Sequence, residues 1–142
     1  MVLKIGQSES FSKTISESDV YNFAGITGDF NSAHVNKVAA ENGLFGERVA
    51  HGMLTASLIS TVLGTRLPGP GTIYLGQNLN FKRPVFFGDT VTATATVTEI
   101  LNDKKGTYKL ETVLTNQNGE IVTDGFATVL YREEQGEKNE KH

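Results

Sequence analysis

The chain has 142 residues, enough for one hydrophobic core and too few for two independent domains of ordinary size. Its formal net charge of −3 offers no basic surface for a phosphate backbone, and the absence of cysteine excludes disulfides and thiolate metal sites. No apolar run approaches the ~20 residues needed to cross a bilayer. We therefore expect one cytoplasmic domain that binds neither nucleic acid nor membrane.

The N-terminal part of the chain predicts a strand followed by a short helix. Residues 7–15 alternate loosely between polar and apolar side chains. Ser16, with Asp19 three positions later, forms a capping-box pattern ahead of an apolar run, so a helix should begin there. Two glycines within residues 25–28 should end this helix. A loop is predicted for the polar residues 29–36, and we expect residues with a catalytic role to lie in it.

The middle of the chain predicts a second, longer helix. Large apolar residues between positions 53 and 63 cover adjoining helical faces and are interspersed with small ones, so this helix should be buried on most sides. A Pro/Gly-rich break at residues 67–71 ends the helical pattern.

Alternating polar and apolar residues then predict an antiparallel meander, with Asn118–Gly119 as a hairpin turn. The predicted strands are 73–81, 91–98, 108–114 and 121–131. A buried helix followed by a meander predicts a single α+β domain in which the sheet wraps the helix. We assign this domain to residues 1–132 and interpret the charged residues 133–142 as a disordered tail.

Three segments of the chain resemble the MaoC-like family of (R)-specific enoyl-CoA hydratases. They are TGDFNSAH at 27–34, VAHGMLTASLIS at 49–60 and YLGQNLNFKRPVFFGDTVTA at 74–93. The resemblance implies a hot-dog fold, a homodimer, and hydration of trans-2-enoyl thioesters of coenzyme A or acyl-carrier protein to the (R)-3-hydroxyacyl products. It implies neither a metal nor a redox cofactor, because coenzyme A enters as part of the substrate.

The resemblance also implies the site residues. The family's hydratase motif falls on Asp29, Asn31 and His34, its oxyanion glycine on Gly52, and its central-helix serine on Ser60. The chain departs from the family at three positions: Ser32 and Arg48 stand where relatives commonly carry proline, and Asn36 stands where they commonly carry aspartate. These departures concern loop geometry and acyl-chain preference more than proton transfer.

The chemistry of hydration assigns a role to each of these residues. Water must attack C3, and negative charge must be stabilised on the thioester oxygen. Ionised Asp29 can act as general base while His34 holds the same water from a second direction. The N–H of Gly52, at the positive end of a helix dipole, can face the thioester oxygen. Ser60 is expected to hydrogen-bond Asp29 and fix its rotamer, and Asn31 to brace the loop.

Two competing functions share these features. A hot-dog thioesterase would place a carboxylate near a helix start but attack the carbonyl carbon, and a non-catalytic acyl-thioester-binding subunit would retain only the fold. Retention of both Asp29 and His34 favours hydration. We interpret His51 as a structural residue that bonds a loop carbonyl, and Lys82 and Arg83 as solvated side chains.

Overall fold

The computed structural model of the protein describes residues 3–132, and the predicted tail at 133–142 lies outside the described residues. The five strands form one antiparallel sheet in the order β1-β3-β4-β5-β2. The elements in chain order are β1 (Ser8–Thr14), α1 (Glu17–Thr27), α2 (Ser32–Val35), α3 (Lys37–Glu41), α4 (Gly52–Thr65), β2 (Ile73–Phe81), β3 (Thr90–Asn102), β4 (Thr107–Thr115) and β5 (Ile121–Leu130).

Helix α1 begins and ends where the sequence predicts. The Ser16 hydroxyl accepts from the Asp19 N–H at 3.0 Å, and the Asp19 carboxylate accepts from the Ser16 N–H at 3.0 Å. This backbone hydrogen bond is the main reason that the pKa of Asp19 lies below its ordinary value. Gly28 closes the helix in a left-handed conformation with φ of 80°. The helix therefore ends immediately before Asp29.

The polar stretch at residues 29–36 is not the uninterrupted loop that the sequence predicts. It contains α2, a single helical turn whose N-cap is Asn31, with the side chain accepting from the Ala33 N–H at 2.9 Å. A four-residue helix is too short to show apolar periodicity, so only its capping residue could have indicated it. The consequence is that His34 projects from a helical turn.

The fold is the predicted α+β arrangement, with α4 packed across the sheet and in contact with β1, β2, β3 and β4. Its buried face consists of six residues: Thr55, Ala56, Leu58, Ile59, Val62 and Leu63. The prediction that the helix is buried on most sides is wrong. One stripe at helical spacing stays exposed, and its residues are Met53, Ser57, Ser60 and Gly64. Among the described residues, every helix is too short or too polar to span a membrane.

The strands differ in how far they bury their apolar side chains. In β3 the inward positions are at most 1% exposed, and they are Val91, Ala93, Ala95 and Val97. Strand β2 lies at an edge of the sheet and has 41–54% exposure at Ile73, Tyr74, Leu75 and Phe81. The alternation in β2 therefore predicts the strand correctly but not its burial in the single chain.

Candidate active site

A cleft of about 400 Å³ opens beside the first turn of α4 and the end of β2. One wall comes from the residues that lead into α4 and another from the end of β2 and its continuation. The lining residues that matter below are His34, Val49, Gly52, Thr55 and Phe81. The cleft thus combines the predicted histidine with the predicted oxyanion glycine in one space.

The imidazole of His34 is held against the segment that precedes α4. Its Nδ1 lies 2.7 Å from the carbonyl oxygen of Val49, and the Val49 N–H donates to the Ala33 carbonyl at 3.1 Å. A carbonyl oxygen can only accept, so Nδ1 carries the proton of this bond. In the neutral ring Nε2 is then left as an acceptor, which is the form needed to hold a water proton.

Asp29 lies next to His34 and is exposed. Its carboxylate Oδ1 accepts from the Asn31 N–H at 3.1 Å. Ligand-type atoms of Asp29, His34 and His51 all lie within 4.8 Å of one another. Asp29 is not among the cleft-lining residues of the single chain and lies beside one of them, His34. One water molecule can bridge a carboxylate and an imidazole at this separation.

His51 joins the two halves of the site. It is the N-cap residue of α4 and is 3% exposed, and its Nε2 lies 2.9 Å from the backbone carbonyl oxygen of Asp29. Its ring stacks on that of His34 with centroids 3.9 Å apart and 29° between the planes. The prediction that His51 bonds a loop carbonyl is confirmed. Its contact with His34 was not predicted, since nothing in a sequence shows which rings stack.

Gly52 begins α4 with its N–H free of any acceptor within residues 3–132. The Thr55 hydroxyl donates to the Gly52 carbonyl at 2.9 Å and orients that end of the helix. Gly52 does not have a positive φ, so its backbone angle does not explain the glycine. A Cβ at this position would lie 2.7 Å from Cε1 of Phe81, so the glycine is needed for close approach.

Comparison with known proteins agrees with these features. Residues 3–120 match the model of the MaoC like domain. The chain belongs to the MaoC-like family. It is 54% identical over 129 residues to an (R)-specific enoyl-CoA hydratase of Rhodospirillum rubrum, covering 90% of this chain and 88% of the relative. It is also 46% identical over 127 residues to a 3-hydroxybutyryl-CoA dehydratase of Methylorubrum extorquens, covering 89% and 80%.

A solved structure supports the fold assignment of this MaoC-like chain. The unliganded R-hydratase PhaJ1 of Pseudomonas aeruginosa superposes with a TM-score of 0.88 at 43% identity, covering 93% of this chain and 84% of that one. The predicted hot-dog fold and the predicted family are therefore confirmed.

Of the two remaining predicted site residues, Asn31 is hydrogen-bonded to Asp29 and Ser60 is not. Asn31 caps α2 with its side chain and donates its N–H to Asp29, which is a bracing position. Ser60 lies eight residues beyond Gly52 on α4, about 12 Å along the helix axis. Its side chain is exposed, and within the described residues it makes no hydrogen bond to Asp29. The predicted contact between Ser60 and Asp29 is therefore corrected.

Asp29, His34 and His51 bring potential metal-ligand atoms within 4.8 Å of one another, and the stacking of the two imidazoles disfavours a shared metal ion. A zinc ion lies in the plane of each coordinating imidazole, about 2.0–2.1 Å from nitrogen. The two rings stack 3.9 Å apart, so their in-plane lone pairs run side by side and do not converge. Each ring also has one nitrogen within hydrogen-bonding distance of a backbone carbonyl.

Arg48 ties the segment that precedes α4 to α1. Its guanidinium donates to the Glu17 carboxylate at 2.7 Å and to the Tyr21 hydroxyl, and it lies 4.8 Å from the ring centroid of Phe87. Hydrogen bonds from Tyr21 and then from Arg48 hold the pKa of Glu17 below its ordinary value. The hydrogen bond to Glu17 likewise raises the pKa of Tyr21.

Proposed function

We propose that the chain catalyses the reversible hydration of trans-2-enoyl-CoA to (R)-3-hydroxyacyl-CoA. The observation that carries the proposal is that His34 and Gly52, whose N–H is free within the described residues, line one cleft, with Asp29 beside His34. Close identity to relatives named as (R)-specific enoyl-CoA hydratase and 3-hydroxybutyryl-CoA dehydratase supports the reaction class and its stereochemistry. The enzyme is accordingly a hydro-lyase.

In the proposed reaction Asp29 and His34 activate one water molecule. Ionised Asp29 accepts a proton from water while the water oxygen bonds to C3, and Nε2 of His34 accepts a hydrogen bond from the second water proton. The π electrons move toward C2 and the thioester oxygen. The proton taken by Asp29 is then delivered to C2, so that one molecule of water is added in total. Neither a metal nor a redox cofactor is required by these steps.

Gly52 stabilises the negative charge that develops on the thioester oxygen. Its N–H has no acceptor within residues 3–132 and lies at the positive end of the dipole of a 14-residue helix. The hydrogen bond from Thr55 keeps the adjoining peptide in place. A backbone donor preorganised in this way typically contributes on the order of 10²–10³ in rate.

The proposed assembly is a cytoplasmic homodimer. Strand β2 leaves one edge of the sheet unpaired, and Ile73, Leu75 and Phe81 are 53–54% exposed along it. An apolar edge strand favours pairing with another chain, and a second copy offers the same surface in a two-fold arrangement. Because Phe81 also lines the cleft, a partner on this edge would lie close to the bound acyl chain.

Purified protein incubated with crotonyl-CoA and, separately, with saturated butyryl-CoA tests the proposed reaction. We expect loss of the enone absorbance of crotonyl-CoA without release of free thiol, and chiral chromatography of the product should give (R)-3-hydroxybutyryl-CoA. Thiol released from both substrates would replace hydration by thioester hydrolysis. Binding of both substrates without turnover of either would identify an acyl-thioester-binding subunit.

The exposed β2 edge is tested separately, by sedimentation velocity of the wild type and of Leu75→Lys. We expect a dimer for the wild type and a shift toward monomer for the variant, because a lysine on the strand opposes edge pairing. An unchanged dimer in Leu75→Lys would place the interface elsewhere on the molecule.

A further inference from the structure

We propose that His51, which no part of the hydration chemistry uses, is a positioning residue that holds Asp29 and His34 in their catalytic relation. The proposal rests on the function proposed above. His51 is 3% exposed and lies 22 positions after Asp29 in the chain, yet it contacts both residues that activate water. A single buried ring therefore sets the geometry of two groups that come from a different segment.

The first contact fixes the protonation of the His51 ring. The Asp29 carbonyl oxygen 2.9 Å from Nε2 can only accept, so Nε2 carries a proton. The other nitrogen, Nδ1, is buried and has no hydrogen-bond partner within the described residues. His34 shows the opposite arrangement, because its Nδ1 donates to the Val49 carbonyl. The two stacked rings are thus opposite tautomers, and each donates its N–H to a backbone carbonyl oxygen.

The second contact supports the ring of His34 from one side. The rings of His34 and His51 stack with centroids 3.9 Å apart, and Phe23 packs edge-on against His51 at 4.9 Å. His51 is thereby packed between α1 and the start of α4. One face of the His34 ring is in consequence supported by a buried ring.

Besides this anchor, Asp29 is restrained only locally within the described residues: its N–H donates to the Thr27 hydroxyl at 3.1 Å. Its side chain is exposed, and its carboxylate accepts a single hydrogen bond within the described residues, from the Asn31 N–H. Its backbone carbonyl is fixed to the core through His51. A misplacement of about 1 Å in a reacting group can cost on the order of 10²-fold in rate, so loss of the anchor should lower kcat.

Histidine is the side chain that supplies both contacts, and two substitutions separate them. In His51→Gln the amide nitrogen takes the place of Nε2 and can still donate to Asp29, but the stacked ring is lost. In His51→Phe the ring remains and the donor is lost. Because the hydrogen bond holds the backbone of Asp29, the general base, we expect glutamine to retain more activity than phenylalanine.

Steady-state kinetics with crotonyl-CoA test this order. We expect His51→Phe to lower kcat by about 100-fold and His51→Gln by about 10-fold, with KM changed by less than about threefold in both, since neither contact involves substrate. Thermal unfolding of each variant reports any loss of fold. The proposal is overturned if His51→Phe keeps kcat within about threefold of wild type, or if it loses no more than His51→Gln.

A second measurement uses the wild-type protein and does not depend on turnover. Long-range ¹H–¹⁵N spectra distinguish the two neutral tautomers of each histidine, and the spectrum of His51→Gln assigns the His51 signals by their absence. We expect the Nε2–H tautomer for His51 and the Nδ1–H tautomer for His34. An Nδ1–H signal for His51 would overturn the proposal, whereas wild-type inactivity toward crotonyl-CoA would overturn only the proposed reaction.

Discussion

The two sides of the candidate site are built in different ways. On one side, residues 29–36 are held by short-range hydrogen bonds, such as those from the Asn31 N–H to Asp29 and from the Ala33 N–H to Asn31. On the other side, the residues leading into α4 belong to the core, with Val49 at 4% and Thr55 at 1% exposure. Asp29 and His34 thus lie on the exposed side, while Gly52, itself exposed, is carried by the buried side between core residues.

This difference predicts how the two sides respond to substitution. Changes at the exposed side should remove the reaction and leave the fold intact, because few buried contacts are lost. Changes at the buried side should disturb packing as well as chemistry. The predictions below compare activity with thermal stability for each side, in order of decreasing effect.

Asp29→Asn should have the largest effect on activity. The amide keeps the shape of the carboxylate but cannot accept a proton from water, so kcat for crotonyl-CoA should fall by about 10²–10⁴-fold. The melting temperature should stay within about 2 °C of wild type because the side chain is exposed. The matched control is Asp103→Asn in the exposed turn before β4, which should change neither value. Retention of more than a tenth of the wild-type kcat would remove Asp29 from the mechanism.

His34→Asn separates the two nitrogen atoms of the imidazole. The asparagine amide can take the place of Nδ1 and donate to the Val49 carbonyl, but nothing replaces Nε2. We expect kcat to fall by about 10²–10³-fold, as in His34→Ala, while the asparagine variant melts closer to wild type than the alanine variant. An asparagine variant with nearly normal activity would show that His34 acts only through its bond to Val49.

Gly52→Ala tests the buried side of the site. The added methyl group would lie 2.7 Å from Cε1 of Phe81, so this half-exposed ring beside the cleft must shift. We expect kcat/KM to fall by about 10–100-fold and the melting temperature to fall by a few degrees. In the double variant with Phe81→Ala the melting temperature should recover. Recovery of activity as well would mean that the methyl group acts through Phe81 and not by keeping the thioester away from the N–H.

The parts of the fold that could be predicted are those encoded locally. The cap at Ser16 and the strand alternation depend on neighbouring residues, and the structure confirms α1, β2 and the meander at nearly the predicted positions. Helix α2 could not be predicted from apolar periodicity, because its four residues form only one turn. The exposed stripe of α4 could not be predicted, because small residues at positions such as Ser57 and Ser60 fit either a core or a surface.

The site could be predicted only in part, for a different reason. Resemblance to a family identifies Asp29, His34 and Gly52; in the structure His34 and Gly52 line one cleft, and Asp29 lies beside His34. Contacts between distant residues carry no local pattern, so neither the stacking of His51 on His34 nor the exposure of Ser60 on α4 could be inferred. His51 was recognisable as a structural residue, but its particular partners required the fold.

The smallest predicted effect concerns Arg48, which links the segment before α4 to Glu17 in α1. Arg48→Met keeps an apolar stem over Phe87 and removes the ion pair with Glu17, so kcat should stay within about threefold and the melting temperature should fall by about 2–4 °C at pH 7. The pKa of Glu17 is lowered in the folded chain from 4.5, so its contribution to stability is present above pH 4.5 and is lost as the pH falls through the folded value.

Thermal unfolding of wild type and Arg48→Met between pH 7 and pH 3 measures this contribution. The gap between the two melting temperatures should narrow below about pH 4.5 as Glu17 becomes protonated, and any gap left at pH 3 reports the loss of the guanidinium over Phe87. Glu17→Gln should melt below wild type at pH 7, and adding Arg48→Met should lower it by less than in the wild-type background. A gap that stays constant from pH 7 to pH 3 would assign the whole role of Arg48 to packing.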